Sequence, residues 1–102
     1  MTPEEILHTA IEIIERDGWY QGDLDDGDDK HGAVCAVGAI ERAWSGSSQA
    51  FGALYWPDER REAIDRLNSH VGSYYGGIGV WNDHPGRTVE DVILALKKAA
   101  AS

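Results

Sequence analysis

A chain of 102 residues, 42% hydrophobic and 26% charged, has the make-up of one globular domain with a single core. Its net charge of −9 argues against direct nucleic-acid binding, which needs cations to neutralise phosphates, and against docking on an anionic membrane. The charge is uneven: residues 1–31 carry ten acids and two bases, a balance of −8, while residues 32–102 carry eight acids and seven bases, a balance of −1.

The first element reads as an amphipathic helix. Thr2 can cap it, Pro3 suits its first position, and Glu5 completes a capping box. Ile6, Leu7, Ala10, Ile13 and Ile14 recur at helical spacing and mark its core face, and Gly18 stops it. The opening MTPEEILHT is acidic and lacks the basic start of a secretory leader, so a cytosolic protein is expected. WYQGDLDDGDDKHG follows at 19–32, a loop by composition with five aspartates between positions 23 and 29.

The next segment, AVCAVGAIERAW (33–44), predicts a central helix. Ala36, Gly38, Ala39 and Ala43 leave room for another helix to approach closely. Gly38 weakens the helix by about 1 kcal/mol against alanine, so a packing reason for it is expected. Cys35 is the only cysteine, which rules out an internal disulfide and suits a reducing compartment. SGSS breaks the helix, and SQAFGALYW predicts a short one capped by Ser47 or Ser48.

Pro57 and the acids after it start another helix, with Ala63, Ile64, Leu67 and Val71 as its buried stripe and Glu62–Arg66 as an i,i+4 pair. VGSYYGGIGVW interleaves glycines with aromatics and is expected to be a loop ending in a short helical turn rather than a hairpin turning at Gly76-Gly77, since the chain offers no strands for a hairpin to join. The last helix begins at Thr88, with Asp91 completing its cap. It buries Val89, Val92, Ile93, Leu96 and Ala99, and it ends in Lys97 and Lys98, where the helix dipole favours cations. No apolar run approaches the ~20 residues of a spanning helix. The expected fold is all-α: a compact single domain over 1–102, of four to five helices, with an acidic loop and a Gly/aromatic-rich loop.

Three pieces, GWYQG (18–22), HGAVCAVGAI (31–40) and VWNDHPGRTVEDVILALKKA (80–99), occur together in this order. The combination resembles a family of small bacterial and phage proteins of unknown function, over nearly the whole chain. The resemblance implies that these elements fold as one domain. It brings no activity with it, and it directs attention to Trp19, Gln21, Cys35, Gly38, Trp81, Asn82, Asp83, Arg87 and Thr88.

The candidate sites have competing readings. Asp23, Asp25, Asp26, Asp28 and Asp29 could hold a cation such as calcium, form a partner-facing patch, or simply be solvated. An EF-hand register does not fit: counted from Asp23, the fifth and sixth positions are Gly27 and Asp28 and the twelfth is Val34; counted from Asp26, the fifth and sixth are Lys30 and His31. Cys35 with His31 as base would make a nucleophile, but its apolar surroundings favour a core thiol. The four histidines show no zinc spacing.

Asn82, Asp83 and Arg87 can brace a turn, with local amide bonds and a carboxylate partner, or can converge with Trp19, Gln21 and Trp81 on a ligand. Tyr74 and Tyr75, on a glycine-rich frame, could serve as contact residues for a partner or fold back as a lid over the core. The leading expectation is a small acidic cytosolic protein-interaction module, one form of it a phage-encoded protein acting on a host protein. The alternative is a small-ligand or calcium-binding domain using the Trp/Asn/Asp/Arg motif or the Asp-rich loop. A protein partner is expected, and no catalytic residues, no resident cofactor, no direct nucleic acid and no membrane. Homo-oligomerisation is left open.

Overall fold

A computed structural model describes residues 1–50, 55–72 and 77–102. Among these there are five α-helices, one π-helical turn and no strand, so the all-α expectation holds. The helices are α1 (Pro3–Asp17), α2 (Ala36–Ser45), α3 (Asp58–Leu67), α4 (Ile78–Asn82) and α5 (Val89–Ala100), and the π-turn (Asn68–Gly72) continues α3. Parts of the expected helix over SQAFGALYW and of the loop holding Tyr74 and Tyr75 lie outside the described residues.

Local chemistry sets both ends of α1 and the start of α5 where the sequence placed them. Thr2 Oγ1 accepts from Glu5 N while Glu5 Oε1 accepts from Thr2 N, and Thr88 and Asp91 repeat the exchange at α5. α1 ends at Gly18, whose φ of 99° a side chain would strain. The core face of α1 is wider than expected, since Ile11 is buried beside Ile6, Leu7, Ala10, Ile13 and Ile14. These residues pack on α2, α3 and α5, and each large aliphatic so buried contributes about 1.5–3 kcal/mol.

α2 starts three residues later than the sequence predicts. Val34 N–H donates to Gly18 O and Val34 O accepts from Tyr20 N, so the backbone there is extended and stitched to the far end of the acidic loop. Cys35 is the cap: its Sγ accepts from Gly38 N at 3.3 Å. The packing reason for Gly38 also differs from expectation. A Cβ there would stand 2.2 Å from Leu24 O and 3.4 Å from Ser48 Cβ, so the close neighbour is the acidic loop and not another helix.

Candidate functional site

The acidic loop is built around an arginine. Arg42, on α2, has a side chain only 3% exposed, and its guanidinium makes five hydrogen bonds. Nε donates to Asp29 O at 3.1 Å. Nη1 donates to Gly32 O at 2.7 Å and to Asp17 Oδ2 at 2.9 Å. Nη2 donates to Asp28 O at 3.0 Å and to Ser48 Oγ at 3.3 Å. All five N–H groups of a guanidinium are thereby used. Three loop carbonyls converge on this cation much as carbonyls converge on a bound ion.

The aspartate side chains act elsewhere. Asp23 Oδ1 accepts from Leu24 N, Asp25 Oδ1 from Gly27 N, and Asp28 Oδ1 from Lys30 N and His31 N. Asp26 reaches across the loop to Asp28 N and Ala33 N, and Gly32 makes room for it, since a Cβ at 32 would lie 1.9 Å from Asp26 Oδ1. Asp29 accepts from Ser47 Oγ at 2.6 Å. Asp25 is buried and accepts from Ser48 Oγ and Gln49 Nε2. Among the described residues no group of three or more His, Cys, Asp or Glu side chains is placed to hold a metal ion.

This geometry explains the acidities. Burial pushes the Asp25 carboxyl up, but hydrogen bonds from Ser48, Gln49 and the Gly27 amide, with the Arg42 charge, outweigh it and hold the group below the usual range. The Lys30 and His31 amides lower Asp28. Arg16 and then Arg42 lower Asp17. Cys35 goes the other way: burial raises its thiol. His31 lies exposed in the loop before α2, so the two do not share a helix as the nucleophile reading requires.

The Trp/Asn/Asp/Arg motif divides in two. Four of its residues meet in a junction centred on Asn82, which is fully buried. Asn82 Oδ1 accepts from Trp19 Nε1 at 2.8 Å and from Ala36 N at 3.0 Å. Its Nδ2 donates to Tyr20 O and Asp83 Oδ1, both at 3.0 Å. Gln21 Nε2 donates to Asn82 O and His84 O, and Gly22 N donates to Asp83 Oδ1. The amide of Asn82 has no bonding capacity left. Apart from the bond between them, the side chains of Asn82 and Asp83 bond to residues 46 to 63 positions away, so the local amide bonds expected of these two are corrected: they tie α4 to the GWYQG segment and to the start of α2.

Trp81 and Arg87 stand apart from that junction. The Arg87 guanidinium lies 4.4 Å over the Trp81 ring, its Nε donates to Trp81 O at 3.0 Å, and its Nη1 is 4.0 Å from Asp91 Oδ2. Together they wall a cleft of about 240 Å³ beside the π-turn and α5.

A described family matches the chain over residues 1–102. The chain belongs to the family of unknown function DUF6197. No curated protein and no solved structure matches it. In this DUF6197 chain two charged residues that the sequence does not single out, Arg42 and Glu41, are buried. Glu41 is fully buried and accepts from Arg60 Nε at 2.6 Å, and Arg60 stacks 4.2 Å over Trp56. A charged pair, Glu41-Arg42, inside an otherwise small and apolar helix was the available signal.

Proposed function

We propose that this chain is a small protein-interaction module that offers a pre-formed acidic surface to a basic partner. One observation carries the reading: the carboxylates of Asp23, Asp26 and Asp28 are exposed on a loop whose ends are stitched at Gly18 and Val34 and whose carbonyls are locked on Arg42. A surface already ordered loses little entropy on binding, and clustered charge steers a complementary partner. In its finer form the proposal is a cytosolic protein, phage-encoded and acting on a host protein.

The test is capture of partners from lysate of the source cell by the wild type and by Asp23→Asn/Asp28→Asn, at low and at high salt. Each of these aspartates uses only Oδ1 in its loop, and asparagine keeps an acceptor there, so the loop should hold its shape while losing two charges. The expected result is a defined partner, weakened by salt and by the double substitution. Equal capture by both proteins at both salt concentrations would remove the loop from the mechanism. A partner retained only with calcium, and not with chelator, would move the loop to the cation-binding alternative.

A further inference from the structure

We draw no further inference here: the strongest candidate, the side-chain cluster on α2 in which the buried Glu41 Oε2 and Trp44 Nε1 have no hydrogen-bond partner among the described residues, carries nothing, because the cleft that the structure describes lies beside α5 and is lined by neither residue.

Discussion

Replacing Arg42 tests whether the acidic loop is held from inside. Arg42→Met keeps the length and the buried stem of the side chain but removes five donors. It leaves the carbonyls of Asp28, Asp29 and Gly32 and the Asp17 carboxylate without their cation. An orphaned buried acceptor costs about 1–3 kcal/mol, and breaking a buried ion pair about 3–5 kcal/mol. The loop can open and hydrate its carbonyls, so the losses do not simply add. We expect about 3–5 kcal/mol, a large part of the ~5–15 kcal/mol that holds a domain of this size. Arg42→Lys keeps the charge but has three donors, and should lose about 1–3 kcal/mol. The assay is urea unfolding with amide hydrogen exchange. The reporters are Asp26 N, Cys35 N and Ser48 N, whose bonds to Ala33 O, Leu24 O and Asp29 O close the loop. In Arg42→Lys these amides should exchange early while amides of α1 and α5 keep the global rate. An Arg42→Met protein within about 1 kcal/mol of wild type, with these three amides still protected, would refute the account.

Gly38→Ala should be destabilising by at least ~1 kcal/mol although alanine favours helices, because its Cβ would meet Leu24 O; a thermal melt should show a fall of roughly 4–8 °C per kcal/mol. The Cys35 thiol is 5% exposed and raised by burial, so it should react with an aromatic disulfide reagent only as fast as the chain opens, and rapidly in urea. Asp17 and Asp25 are held below the usual range in the folded chain, so their contribution is complete above the unfolded value near 4 and is lost as pH falls through the lower folded values. Melting temperature should therefore drop steeply only below about pH 4, and Asp25→Asn should make that drop shallower.

What the sequence made legible was what neighbours decide. Thr2 with Glu5 and Thr88 with Asp91 exchange bonds across three positions, and both caps stand as read. Glu62–Arg66 pairs at i,i+4 as expected, with a 2.7 Å contact. The start of α2 was misplaced because Val34 spends its backbone on Gly18 and Tyr20, a pairing invisible in the small apolar run that contains it. Asn82, Asp83, Trp19 and Gln21 stood out in the sequence, yet three of the four side-chain partners of Asn82 lie 46 to 63 residues away, at a separation that no local turn rule reaches. Arg42 and Glu41 escaped for the related reason that a charge on a helix is read as solvated unless its burial is known. Here α3 covers Glu41 through Arg60, and the acidic loop covers Arg42.

An arginine at the centre of an acidic loop has a different consequence from a metal ion there. A divalent cation draws carboxylates inward as ligands and cancels their charge. Arg42 is reached mainly by carbonyls, so the carboxylates of Asp23, Asp26 and Asp28 stay on the outside, each occupied with backbone amides that fix its position. Those amide bonds lower Asp28 further and keep it ionised. The bonds around Arg42 therefore fix the shape of the loop and hold these carboxylates at its surface, where salt screens their field over about 8–10 Å. For a chain that concentrates a balance of −8 in its first 31 residues, an ordered array of outward carboxylates is what the buried guanidinium secures.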